Sequence, residues 1–240
     1  MKSIVRKLSL IACSGLLLIN IGAANAETLE PGQLLTFVLS ENKPGGEAIQ
    51  KIYFDNAFPL AQAAGMKELT TFKIDQVVFG EGNPQGAGLY SWPHKAAAQR
   101  TRNNPKYLKK FKPLRPQIWN QLQSIDMKVK CPLDLTLDKT KSYSIALIWL
   151  NDRDAYNNYY RGTQALRDKL GAKTLFKLPG VRYEKLTEGE ITPPDLVLLV
   201  QWNSAADLGY YSAAPEFQAN HHYFEQGVKK MELYQLGFWN

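Results

Sequence analysis

Of the three histidines in this 240-residue chain, His221 stands in the pattern with the most chemical content. Phe217, His221, Phe224 and Val228 recur at i, i+4, i+7 and i+11, which puts the imidazole on the apolar face of a helix. A neutral imidazole in such a place keeps a nitrogen lone pair for a metal or a proton. The same spacing equally suits a core or pocket-wall histidine bonded to backbone. His222 points to another side with Gln218 and Glu225, so the two adjacent histidines do not chelate one metal from a single face. His94 follows Trp92-Pro93 at the start of a helical region and is read as local. Asp152 and Asp154, flanking Arg153 just after an apolar run, are expected to begin a helix rather than hold a metal.

Aromatic residues surround this histidine in sequence. Trp202, Tyr211 and Phe217, with His221 and Trp92, are the candidate ligand-binding set. Tyr156, Tyr159 and Tyr160 lie on one helix with Arg161 and can add phenols to a pocket or simply pack helix against sheet. Arg100, Arg102, Lys106, Lys109, Lys110, Lys112 and Arg115, interleaved with Tyr107, Phe111 and Trp119, read as a solvated basic helical face, the alternative being an anionic surface or ligand. There is no Gly-x-x-x-x-Gly-Lys loop, Gly-x-Ser-x-Gly elbow, His-Glu-x-x-His or Cys-x-x-Cys, which removes the usual nucleotide, hydrolase and zinc motifs.

The elements that must position these residues come twice. Leu89-Tyr-Ser-Trp92-Pro-His-Lys-Ala96 aligns with Leu199-Val-Gln-Trp202-Asn-Ser-Ala-Ala206 at an offset of 110. The same offset pairs Pro105-Lys-Tyr107 with Pro215-Glu-Phe217, Leu114 with Phe224 and Ile118 with Val228. Hydrophobic periodicity gives each half one order. In the first, strands at 34–39, 69–79, 88–92 and 125–129 accompany helices at 48–64 and 94–122. In the second, strands at 143–150, 174–186, 196–202 and 231–238 accompany helices at 155–170 and 205–229. Pro105 and Pro215 are expected to break the second helix of each half. The fold class is α+β: two tandem ferredoxin-like βαββαβ units, 27–130 and 131–240, packed sheet against sheet as a closed or nearly closed intramolecular α+β barrel. The join is placed at 130–141, where Cys131-Pro132 and a polar run interrupt the pattern.

Ahead of the repeat, Lys2, Arg6 and Lys7 precede an uncharged apolar run from Leu8 to about Ile21, and Ala24-Asn25-Ala26 supplies small residues for a signal peptidase. Residues 1–26 are therefore expected to be a signal peptide, and the mature chain to be periplasmic or secreted. Leu10-Ile11-Ala12-Cys13 has the form of a lipobox, and acylation at Cys13 is the alternative. Cleavage removes three of the 29 basic residues and none of the 22 acidic ones, leaving 26 against 22, a net charge of +4. So small an excess argues little for an anionic partner, and export makes nucleic acid an unexpected one. The only cysteine beyond the signal is Cys131, so no internal disulfide is expected and the core must carry stability. No later segment is apolar enough to span a membrane.

Val200-Gln-Trp202-Asn-Ser, Tyr210-Tyr-Ser-Ala-Ala-Pro215-Glu-Phe217-Gln-Ala219 and the closing Leu-Gly-Phe-Trp together resemble the dimeric α+β barrel superfamily. The helix is similar to the Ser-Pro-Glu-Tyr-Gln-Ala stretch of its uncharacterised DUF1330-type members. The resemblance implies a barrel made of two ferredoxin-like units, here within one chain. Phe217-Gln-Ala-Asn-His221 also resembles the Phe-x-x-x-His stretch of haem-degrading monooxygenases of the superfamily, which implies haem as a cofactor and His221 as its ligand. That group's tryptophan one helical stretch earlier falls here near Tyr211, and its first-strand asparagine has no match. Three functions are carried forward: binding of a small apolar or aromatic ligand in a pocket between sheet and helices, a haem-dependent or cofactor-independent oxygenase centred on His221, and a structural or interaction role. The ligand and the oligomeric state are not fixed by the sequence.

Overall fold

The structure, a computed structural model, describes residues 25–239. Residues 1–24, with most of the expected signal segment and Cys13, lie outside the described residues. The first half contains β1 (Asn25–Leu29), β2 (Leu34–Asn42), α1 (Glu47–Ala63), β3 (Lys67–Phe79), β4 (Gly86–Trp92), α2 (Lys95–Arg102), a π-helical turn (Tyr107–Phe111), a 3-10 turn (Lys112–Leu114), α3 (Arg115–Ile118) and β5 (Trp119–Lys128). After β6 (Leu133–Leu137), the second half contains β7 (Ser142–Leu150), α4 (Arg153–Gly162), α5 (Gln164–Lys169), β8 (Lys173–Leu178), β9 (Gly180–Lys185), β10 (Gly189–Ile191), β11 (Leu196–Trp202), α6 (Asp207–Ala213), α7 (Pro215–Gly227) and β12 (Val228–Gly237). This is the expected α+β class, with the ferredoxin-like order running through each half. Gly65 and Gly171 terminate corresponding helices, each at positive φ (90° and 64°) and each donating its N–H to the carbonyl three residues back. Only glycine takes that conformation without a Cβ penalty.

Ten strands form one antiparallel sheet in the order β10-β9-β5-β2-β4-β3-β12-β7-β11-β8. Its connectivity joins the halves. β3 spends its first residues, Lys67–Lys73, on β4 and its last, Lys73–Phe79, on β12. The corresponding strand of the second half is split by Pro179: β8 pairs with β11, and β9 crosses to β5. Each half thus lends the end of its long strand to the other. The hydrogen-bonded ladder does not close into a ring, ending at β8 and at β10, so the expected barrel is open in its hydrogen bonding. The chain itself spans the gap through Pro179, which has no N–H to donate to a ladder.

Between the curved inner faces lies the main core, with Phe37, Phe72, Ile125, Tyr143, Ile145, Tyr183, Val197 and Tyr234 fully buried. This is the sheet-against-sheet packing expected of two units that each cover only one face with helices. The outer faces carry separate clusters under the helices, and it is there that space remains.

Three expectations need correction. The helices expected at 94–122 and 205–229 end early, because β5 begins at Trp119 and β12 at Val228. Trp119 is a strand residue through its pairing with Asn42 of β2, and its ring meets Tyr53 of α1 edge-on at 5.2 Å, long-range partners that no local period reveals. At Val228 helix passes into strand with no intervening turn, and a bulge follows between Val228 and Lys230. The join is also more than a linker: Leu133-Asp-Leu-Thr-Leu137 alternates, and as β6 it pairs with β1 in a separate two-stranded sheet that buries Leu29, Leu135 and Leu137. Ala26 of that β1 stands on the signal side of the expected cleavage.

Part of the basic segment turns inward rather than to solvent. Arg102 pairs with Asp126 at 2.7 Å, and Arg115 lies 3.5 Å from Glu184, which also meets Arg182. Burial alone would raise the Glu184 carboxyl, but the Arg115 and Arg182 guanidiniums outweigh it and hold the group below its ordinary value. A carboxylate depressed in the folded state stabilises fully above its unfolded pKa, about 4.3, and that contribution fades as pH falls through the lower folded value. Glu184→Gln is therefore expected to lower stability at pH 7 and to flatten its fall below about pH 4.3. Urea unfolding at pH 7 and pH 3.5 measures both, and an unchanged acid limb would remove Glu184 from it.

Candidate functional site

The site is built on the outer face of the second half. β7, β11 and β12 supply its floor, α4 and α5 one wall, and α6 with α7 the other. α4 starts where Asp152 caps it, accepting from the N–H groups of Asp154 (2.8 Å) and Ala155 (3.1 Å), as expected for that aspartate. Pro215 opens α7 at its first turn, again as expected. Between these walls is a cavity of about 540 Å³.

Four of the five candidate ligand-binding residues meet here: Trp202, Tyr211, Phe217 and His221 all line the cavity. Trp202 donates its indole N–H to Ser144 Oγ at 2.8 Å and packs on Tyr211 at 5.6 Å. Tyr211 in turn lies 5.3 Å from Phe217, edge to face. Tyr159 reaches across from α4, its hydroxyl 2.9 Å from that of Tyr211, and its ring meets both Phe217 and Phe224. Burial, and then the neighbouring Tyr211, hold the Tyr159 phenol far above its ordinary value, so it stays a neutral donor.

His221 sits between Phe217, at 5.4 Å, and Phe224, whose ring is nearly parallel to it at 5.7 Å. Its Nε2 points toward Glu225, 3.6 Å away, which the helical wheel had assigned to the face of His222. Its Nδ1 is buried without a hydrogen-bond partner, so the backbone bond expected of a pocket-wall histidine is not made. His222 is exposed. His94 caps α2, its Nδ1 accepting from the Ala97 N–H at 3.1 Å, which is the local role expected of it.

Trp92 does not join the others. It lines a counterpart cavity of about 350 Å³ under the helices of the first half, with Tyr53, Phe54, Phe58, Tyr90 and Trp119. Its indole donates to Thr36 Oγ1 at 3.1 Å, the same bond that Trp202 makes to Ser144, so the repeated tryptophan is a repeated anchor. The position at the repeat offset from His221 is Phe111, which is buried among aromatic residues. The first half therefore repeats the architecture without the imidazole.

Sequence reasoning missed Arg167. It lines the larger cavity and is 4% exposed. A signal existed: Tyr156, Tyr160, Thr163 and Arg167 recur at i, i+4, i+7 and i+11, which carries a cation onto the buried face of α4 and α5. Among the described residues no group of three metal-ligating side chains converges, and the carboxylate beside His221 is that of Glu225.

Two ferredoxin-like units in one chain, exchanging strand ends and carrying their helices outside, make an α+β fold whose ten-stranded sheet stays open. Solved structures agree on the fold. An anthrone oxidase-like protein superposes with a TM-score of 0.55 at 10% identity, over 88% of this chain and 94% of its own. A mutant chlorite dismutase from Candidatus Nitrospira defluvii gives 0.52 at 12% identity, over 87% and 93%. A monooxygenase-like protein from Fusobacterium nucleatum subsp. nucleatum gives 0.50 at 12%, again over 87% and 93%. No protein-family model matches the sequence, and no curated protein is significantly similar to it.

Proposed function

We propose that this is an exported protein, akin to the DUF1330-type members of the superfamily, that binds a small aromatic or apolar molecule in the cavity of its second half. The observation that carries the reading is the cavity itself: about 540 Å³ between sheet and helices, with Trp202, Tyr159, Tyr211, Phe217, Phe224 and His221 in its walls. A volume of that size suits one small ligand, and aromatic walls with few polar groups favour a flat apolar body. The inter-sheet core, by contrast, is filled by side chains. Calorimetric titration with 2-naphthol is expected to show one saturable site, lost when Leu198, in the cavity wall, is changed to tryptophan. No heat of binding, or equal binding by Leu198→Trp, would sink the reading.

A second reading, an oxygenase centred on His221, is favoured by one observation, the buried and unpartnered Nδ1 in the cavity wall. For a haem that imidazole is the residue that would hold the iron, and Phe217 and Phe224 would flank it. A bound haem would supply oxygen activation. What the chain supplies is the nitrogen donor, an apolar enclosure and neutral phenols. A haem titration is expected to give a Soret shift saturating at one equivalent and abolished in His221→Ala; a spectrum unmoved by the protein removes this branch.

A further inference from the structure

The few polar groups of the cavity wall include one cation, Arg167, and the phenols of Tyr159 and Tyr211. Among the described residues no aspartate or glutamate lines the cavity, and Arg167 is its one formally charged residue. Among the described residues, Arg167 makes no ion pair with a carboxylate. Its two terminal nitrogens are used locally: one donates to Thr163 Oγ1 at 2.7 Å, the other to the Tyr160 carbonyl at 2.6 Å and Gln164 Oε1 at 2.7 Å. The guanidinium lies 3.9 Å over the Tyr160 ring. Its Nε is buried and has no partner. Lys177, 4.2 Å over the same ring, has its amine pushed down by desolvation and then by Arg153 and Arg167, so this side of the fold is crowded with like charge.

The phenols give the second count. Tyr159 and Tyr211 hold two O–H protons between them and share one hydrogen bond; among the described residues no further acceptor meets either hydroxyl. One O–H is left over in a wall where the Trp202 N–H is already committed to Ser144. A buried cation without a counter-ion and a donor without an acceptor are both costly, and an anionic oxygen relieves both.

Resting on the binding reading above, we propose that the ligand is an aromatic carboxylate, its ring against the cavity's aromatic residues and its charge met by Arg167 Nε and the unshared phenol hydroxyl. The competing account is that Arg167 only ties α4 to α5. That account uses the two terminal nitrogens alone and gives no preference for charge in a ligand.

Titration of the purified protein with 2-naphthoate and with 2-naphthamide separates the two accounts. The probes share a ring system and differ in the charged oxygen. The carboxylate is expected to bind roughly tenfold or more tightly than the amide, as a charge-assisted bond in a buried site should give. In Arg167→Gln the carboxylate is expected to lose more affinity than the amide, so that the preference falls below about threefold. Thermal melting checks that this variant is folded; should it not be, the two probes on the unmodified chain decide alone. Equal affinities, both lost in Leu198→Trp, would overturn the carboxylate proposal while leaving aromatic binding in place. Binding of neither probe overturns both, and naphthoate binding that survives Leu198→Trp lies outside the cavity and overturns the proposal.

Discussion

Asp126→Ala is expected to lower the melting temperature by on the order of 10 °C, the largest effect of any single side-chain deletion considered. Asp126 is 2% exposed and stands where the two halves meet, on β5 opposite Arg182 of β9. It accepts from Thr36 Oγ1 at 2.8 Å and from Arg102 at 2.7 Å, with Arg182 at 4.0 Å. Thr36 in turn accepts the Trp92 indole, so the carboxylate ends a buried chain that runs into the first-half cavity. Removing it strands the Arg102 guanidinium, while Arg182 loses a partner at 4.0 Å but keeps Glu184 and Glu190. Loss of one member of a buried charged pair costs roughly 3 to 5 kcal/mol. Arg102 keeps 22% side-chain exposure and some water, so the lower end, about 3 kcal/mol, is expected. Asp126→Asn preserves the acceptor for Thr36 and should lose less. Scanning calorimetry on the pair tests this, and a loss under about 1 kcal/mol for the alanine variant would show that the arginines find other partners.

Gly227→Ala, a change of one methyl group, is expected to cost about 3 kcal/mol. Gly227 ends α7 where the start of α4 passes against it. A Cβ there would lie 2.8 Å from Tyr156 Cα, 2.9 Å from its Cβ and closer still to its backbone N. Backbone cannot rotate aside as a side chain does, and the Gly227 carbonyl accepts from the N–H groups of Asn151 and Asp152 at 2.9 and 3.2 Å, fixing the approach. The helices must part, which withdraws Tyr159 from Phe217 and Phe224 and loosens the cavity. Affinity for 2-naphthol should fall along with stability. Gly209→Ala is the control, since a Cβ there meets nothing within 4 Å and alanine favours the helix by roughly 0.5 to 1 kcal/mol. Denaturant unfolding of the two variants should therefore move in opposite directions; movement together would count against the close-approach argument.

The sequence determined that the chain has two similar halves, and why is plain in the residues. Gly65 and Gly171, and Pro105 and Pro215, each answer a local requirement, a positive-φ helix end and a helix start, and Trp92 and Trp202 repeat one anchor to a neighbouring strand. Such local requirements leave marks at fixed spacing. The grouping of Trp202, Tyr211, Phe217 and His221 was legible for the same reason, being carried by one strand and two consecutive helices.

What only the tertiary structure decided depends on residues far apart in sequence. The split of β3 between β4 and β12, and the crossing of β9 to β5, are pairings across the chain that no hydrophobic period encodes. The early start of β5 comes with the pairing of Trp119 to Asn42 of β2, far off in sequence. That Trp92 belongs to a different cavity from Trp202 follows from the repeat itself, which places equivalent residues in equivalent but separate sites. Arg167 is the sharpest case. Its place on a helix face could be read from spacing, but that the face is buried, that no carboxylate answers it and that it meets a cavity are facts of assembly, because burial and charge compensation are set by whichever segments fold over a residue.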